Sequence, residues 1–191
     1  MRSPIAASVL TRLIVIVVWG AVACRGTPLP PSPAVDVLLP EVDLETLPEA
    51  IRARVVEAEK RARQSSGDSN AVGDLGMRYF AYGLYGASAT CFRRAALLYP
   101  NSLRWIYYFG LASERTGDRY SAIEAHERAA AFGGGFEPAM VRLAGILRES
   151  DLARAEDLYR QAARLNPQDP AAQFGLGQKD GLRCKNMWTL G

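Results

Sequence analysis

Residues 72–79 read VGDLGMRY, and residues 106–113 read IYYFGLAS. Each stretch has a branched apolar residue, a large apolar residue three positions later, and a glycine directly after that. The matching residues, 34 positions apart, are Val72 and Ile106, Leu75 and Phe109, and Gly76 and Gly110. Recurrence of several residues at one fixed period indicates a repeated structural unit rather than a single irregular core.

A second pattern follows the first within each unit. It consists of a small residue, a ring-bearing residue four positions later and an alanine three positions after that. The three copies are Ser88, Phe92 and Ala95; Ala122, His126 and Ala129; and Ala155, Tyr159 and Ala162. Gly83 and Gly117 also share the 34-residue spacing and mark the point where one helix is predicted to turn into the next.

Together these patterns resemble the tetratricopeptide repeat (TPR), and the resemblance covers about residues 69–180. It implies an all-α fold, an α-solenoid of antiparallel helix pairs with three full units and a partial fourth. The fourth begins at Gln173, Leu176 and Gly177. The departures from the pattern are Val72, Ile106 and Met140 in place of its tryptophan, Leu143-Ala144 in place of Leu-Gly, a unit one residue short near Ser150, and Gly133–Gly135 in place of a final proline.

The repeat pattern has a physical reason in helix packing. Small residues let two antiparallel helices approach closely, and large residues fill the space around the contact. The predicted small residues are Gly76, Gly110, Ala122 and Ala155, and the predicted large ones are Leu75, Phe92, Phe109, Leu143 and Tyr159.

The N-terminus has the features of an export signal, and residues 1–23 are predicted to be a signal peptide. Positively charged residues come first, and residues 13–18 form an apolar run shorter than a membrane-spanning helix requires. Small residues before Cys24 resemble a bacterial lipobox, which implies lipidation of Cys24. Ala21 stands where that motif usually has leucine, and ordinary cleavage with secretion or an uncleaved anchor are the alternatives. The predicted location is the bacterial cell envelope, as a membrane-anchored lipoprotein facing the periplasm or the exterior.

Three further segments flank the repeats. Residues 24–40 are rich in proline and are predicted to be a semi-rigid tether. Residues 41–68 are predicted to contain an N-terminal capping helix, because apolar residues recur there at helical spacing. Residues 181–191 follow no repeat pattern and are predicted to be an irregular tail.

The composition offers little for catalysis. His126 is the only histidine and occupies the ring position of its unit, where packing is its expected role. The cysteines Cys24, Cys91 and Cys184 lack metal-ligand spacing, and Gly133–Gly135 lacks the lysine of a phosphate loop. A net charge of +3 with well-mixed signs does not indicate nucleic-acid binding. We therefore predict a non-enzyme with no catalytic residues, no metal and no cofactor.

The function is therefore predicted to be binding through a surface of the protein. The resemblance implies that the first helix of each unit lines a concave groove, and aromatic and arginine side chains there are typical of binding sites. The candidate residues are Met77, Phe80, Arg104, Tyr107, Tyr108, Leu111, Arg115, Arg142 and Arg148. They suggest an aromatic centre with a basic rim, suited to an extended or acidic peptide. The alternative is that the tyrosines pack against neighbouring helices and the arginines are solvated.

One TPR subfamily binds acidic chaperone tails through lysine, asparagine and arginine. Only Arg142 matches that set here, so this ligand is not expected. The leading hypothesis is a non-catalytic scaffold of the cell envelope that binds a protein or peptide partner. The alternative is the non-catalytic N-terminal fragment of a longer exported enzyme.

Overall fold

The computed structural model describes residues 38–177 of the 191-residue chain. The predicted signal peptide, Cys24 and the tail at 181–191 lie outside the described residues. Within residues 38–177 the regular structure is helical, with no β-strand. In chain order the helices are α1 (Glu49–Gln64), α2 (Ser69–Ala81), α3 (Tyr85–Leu98), α4 (Leu103–Thr116), α5 (Arg119–Ala130), α6 (Glu137–Leu147), α7 (Leu152–Leu165) and α8 (Pro170–Gly177), with a 3₁₀ turn at Phe132–Gly134.

Helices α2 and α3, α4 and α5, and α6 and α7 form the three predicted pairs, and α8 begins the partial fourth unit. The all-α solenoid expected from the sequence is therefore the fold of the described chain. Each pair packs on the next, since α3 contacts α4, α5 contacts α6 and α7 contacts α8. This neighbour-on-neighbour arrangement buries one continuous apolar core.

Several helices begin at a side-chain cap. The Asp68 carboxylate accepts a hydrogen bond from the Asn70 amide at 2.8 Å before α2. Such caps satisfy backbone donors that have no partner inside the helix. The same role is taken by Ser102 before α4, Asp118 before α5 and Asp151 before α7.

Two glycines turn the chain between the helices of units one and two. Gly83 and Gly117 have φ angles of 78° and 76°, in the left-handed region that favours glycine. After each glycine the chain folds back at once, and the amide of Asp118 donates to the carbonyl of Ser113 at 3.0 Å. The third unit turns differently, because Ser150 and Asp151 both donate to the carbonyl of Leu147 and no glycine is present.

The predicted small and large residues meet inside the units. A Cβ at Gly76 would lie 2.9 Å from the ring of Phe92, and a Cβ at Gly110 would lie 2.6 Å from the ring of His126. Glycine is therefore needed at both positions for the ring to reach the opposing helix. In unit three the corresponding residue is Ala144, and the ring of Tyr159 instead lies 2.5 Å from where a Cβ would stand at Gly175 of α8, in the next unit.

One feature of the core differs from the prediction. Phe109 is only half-buried, whereas Trp105 is fully buried and is among the largest side chains of the core. The turn at Gly133–Gly135, where the final proline of the repeat is replaced, has three consecutive positive φ angles.

The N-terminal part of the described chain covers the first unit. Val55, Ala58 and Ala62 of α1 are buried against α2. The residues before α1 pack on the same core through Leu39, Val42, Leu44 and Leu47. The outward residues of α1 include Arg54, Glu57, Lys60 and Arg61, which give this end of the stack a charged surface. Within residues 38–177, no helix combines the length and apolar character needed to cross a membrane.

Candidate functional site

The first helices of the three units, α2, α4 and α6, carry eight of the nine candidate residues, and Arg148 directly follows α6. We call the surface made by these helices the first-helix face. A chain of ring contacts joins its residues to the interior across units one to three. The contacts, with ring-centre distances, are Phe80 to Tyr85 (5.3 Å), Phe80 to Phe92 (6.4 Å), Phe92 to Tyr108 (5.4 Å), Tyr107 to Tyr108 (6.1 Å), Tyr107 to His126 (5.7 Å) and Tyr107 to Phe136 (5.1 Å).

Tyr107 and Tyr108 are partly exposed on the first-helix face, and they also pack against other side chains. Each is half-buried, and each contacts one buried ring, Tyr107 that of His126 and Tyr108 that of Phe92. Tyr108 stacks on Phe92 at an interplanar angle of 25°, and Tyr107 meets Phe136 nearly edge-on at 86°. These geometries hold the two rings in fixed positions, so they present a rigid aromatic surface.

Met77, Phe80 and Leu111 are the apolar candidate residues other than the two tyrosines. All three are partly buried. Met77 and Phe80 pack on the core cluster. Because their remaining surface is open to solvent, the centre of the first-helix face is apolar.

Two of the predicted arginines have acidic partners that the sequence analysis did not identify. Arg104 pairs with Asp74 of α2 at 3.6 Å, and Arg142 pairs with Glu114 of α4 at 3.3 Å. Each pair joins the first helices of neighbouring units. The predicted basic rim is therefore partly neutralised by carboxylates on the same face.

The other two arginines lie at the C-terminal ends of α4 and α6. The guanidinium of Arg115 lies 5.6 Å from the centre of the Tyr85 ring, in cation–π geometry. Arg148 is close enough to Tyr159 for its charge to lower the pKa of that hydroxyl, although burial has the larger effect and raises it. Cationic side chains are favoured at these positions by the helix dipole.

His126 lies behind the first-helix face. Its side chain is fully buried, and its Nε2 lies 2.7 Å from Oε1 of Glu114. Its Nδ1 has no hydrogen-bond partner. The ring packs at Gly110, as its position in the repeat predicts, but it also makes a polar contact that Phe92 and Tyr159 do not make with this carboxylate.

Burial and hydrogen bonding shift the pKa values of several nearby groups. Burial raises the pKa of the Tyr107 hydroxyl, and a hydrogen bond with Arg142 opposes that rise. Burial also raises the pKa of the Cys91 thiol to about 12. The Tyr79 hydroxyl donates to Glu59, and its pKa is raised by burial and by this carboxylate. None of these groups is placed to act as a base near neutral pH.

Within residues 38–177, no group of three or more histidine, cysteine, aspartate or glutamate side chains is arranged to hold a metal ion. The glycines at 133–135 form the irregular turn already described. The first-helix face presents rings, arginines and two carboxylates.

A sequence signal for the missed carboxylates existed. Glu114 and Arg142 are 28 residues apart, a little less than one unit. Opposite charges at such spacing lie on adjacent first helices of a solenoid. Asp74 and Arg104 are 30 residues apart, so a search over offsets of 28–30 residues would have found both acidic partners.

No family model matches the chain, and no curated protein sequence matches it. Solved structures do match its fold. The MamA protein shares 19% identity over 71% of this chain and 76% of its own, with a TM-score of 0.65. YrrB, described as a TPR protein with an unusual peptide-binding site, shares 16% identity over 70% of each chain, with a TM-score of 0.62.

A third match is a complex. The first TPR of Spaghetti (RPAP3), bound to the HSP90 peptide SRMEEVD, shares 18% identity over 61% of this chain and 94% of its own, with a TM-score of 0.57. At these identities the similarity concerns the fold. The described chain is thus a TPR-type helical solenoid.

Proposed function

We propose that this protein is a non-catalytic interaction module that binds a peptide segment of a partner protein on its first-helix face. The observation that carries the proposal is the set of half-buried rings at Phe80, Tyr107 and Tyr108. These rings are fixed by contacts behind them and are bordered by arginines. A preformed surface of this kind loses little conformational freedom on binding. Two TPR structures of the same fold are described with a peptide or a peptide-binding site, which supports the choice of ligand class.

The groove is best tested without removing the tyrosines. Because Tyr107 and Tyr108 contact His126 and Phe92, their truncation would loosen the core as well as the surface. Leu111→Ser combined with Arg115→Glu changes the face with less disturbance of the packing. Leu97→Ser combined with Arg93→Glu makes the same two changes on exposed residues of α3.

The experiment selects peptides from a phage-displayed dodecapeptide library on the full chain, then measures their affinity by fluorescence anisotropy. We expect the Leu111/Arg115 variant to lose at least about tenfold in affinity, which corresponds to roughly 1.4 kcal/mol. The Leu97/Arg93 variant should stay within about twofold of the parent protein. Equal losses in both variants, or failure to select any peptide, would contradict the proposal.

We further propose that the module works as a scaffold at the bacterial cell envelope, anchored through a lipid on Cys24. The support is the sequence of residues 1–24, which lies outside the described residues. Radiolabelled palmitate should be incorporated into the protein when it is produced in a bacterial host. Cys24→Ser should abolish the label, while Cys184→Ser should not. Labelling that persists in Cys24→Ser would show that the lipid is not on Cys24, and absence of label from the parent protein would favour secretion.

A further inference from the structure

The last described helix, α8, has an open space where the earlier units have a ring. Gly177 holds the same repeat position as Gly76 and Gly110. A Cβ at Gly76 would lie 2.9 Å from the ring of Phe92, and a Cβ at Gly110 would lie 2.6 Å from that of His126. Among the described residues, no atom lies within 4 Å of a Cβ at Gly177. The fourth unit therefore has the glycine without the ring that meets it.

The apolar face of α8 beside this space is also uncovered. Phe174 is 64% exposed. Leu176 is half-buried, whereas its equivalents Leu75 and Leu143 are each 1% exposed. The main contacts of α8 among the described helices are with α7 and α6, which belong to the preceding unit. In a solenoid a face of this kind is covered by the next helix along the chain.

A fourth copy of the second-helix pattern follows α8 in the sequence. The pattern is a small residue, a ring four positions later and another small residue three positions after that. The fourth copy is Cys184, Trp188 and Gly191, spaced as Ser88, Phe92 and Ala95 are. Met187 lies on the same face at helical spacing. Trp188 is 29 residues after Tyr159, so a search at the 33-residue or 34-residue period does not find this copy.

The shorter spacing agrees with a shorter turn. In units one and two the turn glycine lies seven residues after the glycine that meets the ring, and the ring lies nine residues after the turn glycine. In the fourth unit Gly181 lies four residues after Gly177, and Trp188 lies seven residues after Gly181. Two antiparallel helices keep the same level in contact when both arms are shortened together. A hairpin that turns at Gly181 therefore returns the chain to the level of Gly177 near Trp188.

We propose that residues 182–191 form the second helix of the fourth unit and that Trp188 fills the space at Gly177. The occupant of the open face of α8 is then a segment of the same chain. Cys184 takes the first small position of the pattern, which is buried between the helices in units one to three. The segment covers Phe174 and closes the end of the solenoid, and this closure does not depend on the peptide binding proposed above.

Thiol labelling tests the place assigned to Cys184. The full protein is treated with iodoacetamide at pH 8, and mass spectrometry reports each cysteine separately. We expect Cys184 to react at least about tenfold more slowly than in urea-unfolded protein, because a covered thiol reacts only when its segment opens. Cys91, which is 0% exposed, shows in the same sample that the body of the solenoid stays folded. Equal rates for Cys184 in folded and unfolded protein would overturn the proposal.

Three substitutions make the labelling specific. Trp188→Ala removes the ring, and Gly177→Ala places a methyl group in the space assigned to it. Each should raise the labelling rate of Cys184 about threefold or more, while Cys91 stays protected. Gly86→Ala is the matched control, because it adds the same methyl group to α3 where no atom lies within 4 Å. The assignment fails if Gly177→Ala changes the rate no more than Gly86→Ala does.

Dilution distinguishes the chain's own segment from that of a second copy. A contact within one chain gives the same protection of Cys184 at protein concentrations about a hundredfold apart. Protection that is lost on dilution would show that Trp188 binds α8 of a second copy, and the assignment to the same chain would be wrong. In the protected protein we expect a nuclear Overhauser effect between the indole protons of Trp188 and the Hα protons of Gly177. Its absence would place the ring elsewhere and would also overturn the proposal.

Discussion

Gly73 of α2 packs directly against the ring of Trp105 of α4, between the first two units. A Cβ at Gly73 would lie 2.5 Å from ring atoms Cη2 and Cζ2 of Trp105. The indole is 1% exposed and stacks on Phe92 with 6.0 Å between ring centres. Because residue 73 has no side chain, α2 can pack closely against the Trp105 indole of α4.

The first prediction follows from this contact. Gly73→Ala should lower the free energy of unfolding by roughly 1–3 kcal/mol, because a buried indole has little room to move. Gly86→Ala is the matched control, since no atom lies within 4 Å of the added methyl group on α3. It should raise the free energy of unfolding by about 0.5–1 kcal/mol through helix propensity. Urea denaturation of both variants checks this, and equal effects would show that the indole adapts freely.

Trp105 also shows where the sequence pattern stops being informative. The 34-residue period correctly predicts the helix pairs, the turns at Gly83 and Gly117, and the contacts of Phe92 and His126 with glycines. The period assigns Ile106 to the place of the repeat tryptophan, however, and so gives Trp105 no role. Trp105 and Ile106 are both buried, and the repeat period identifies only the second of these two adjacent inward positions.

The candidate site shows a related limit. Eight of the nine predicted residues lie on the first helices of the units, and Arg148 directly follows α6, because repeat position fixes which helix carries them. Their charge balance could not be obtained in the same way. Asp74 and Glu114 neutralise arginines on the next helix, and this depends on the distance between side chains of different units.

The second prediction concerns the ring at the centre of unit one. Phe92 is fully buried and contacts Phe80, Trp105 and Tyr108. Phe92→Ala should lower the free energy of unfolding by about 3–5 kcal/mol, since it removes a ring and leaves a cavity. Phe174→Ala makes the same change at a side chain that is 64% exposed and should cost less than about 1 kcal/mol. Thermal or urea denaturation compares the two variants. Equal stability would contradict the packing of Phe92 in the core.

The third prediction concerns thiol reactivity. Cys91 is 0% exposed, and burial raises the pKa of its thiol to about 12. Because the thiolate is the reactive form, Cys91 should resist alkylation by iodoacetamide at pH 8 in the folded protein. The test uses a variant in which Cys24 and Cys184 are serine, so that mass spectrometry reports one thiol. Labelling should appear only as urea unfolds the protein, and rapid labelling without urea would show that this part of unit one opens readily.

The fourth prediction concerns pH and the carboxyl pair at the starts of α6 and α8. Burial raises the pKa of Glu137 to about 7, and a hydrogen bond with Asp169 and the charge of that residue add to the rise. The same hydrogen bond lowers the pKa of Asp169. Protonated Glu137 therefore acts as the donor and Asp169 as the acceptor.

The sign of the effect follows from linkage. The folded state holds the Glu137 proton more tightly than the unfolded state, whose value is near 4.5. The stabilising contribution is complete below about pH 4.5 and is lost as the pH rises through about 7. Asp169 titrates below this range, so it does not contribute to the change between pH 5 and 8.

Glu137→Gln keeps a donor for Asp169 at every pH and removes the titrating group. We expect the urea midpoints of the parent protein and this variant to be similar at pH 5, and the parent protein to have the lower midpoint at pH 8. Glu149→Gln removes an exposed carboxylate just after the C-terminal end of α6. It controls for the change in net charge. If the difference between the parent protein and Glu137→Gln is the same at both pH values, the proton is not shared between Glu137 and Asp169 in the folded state.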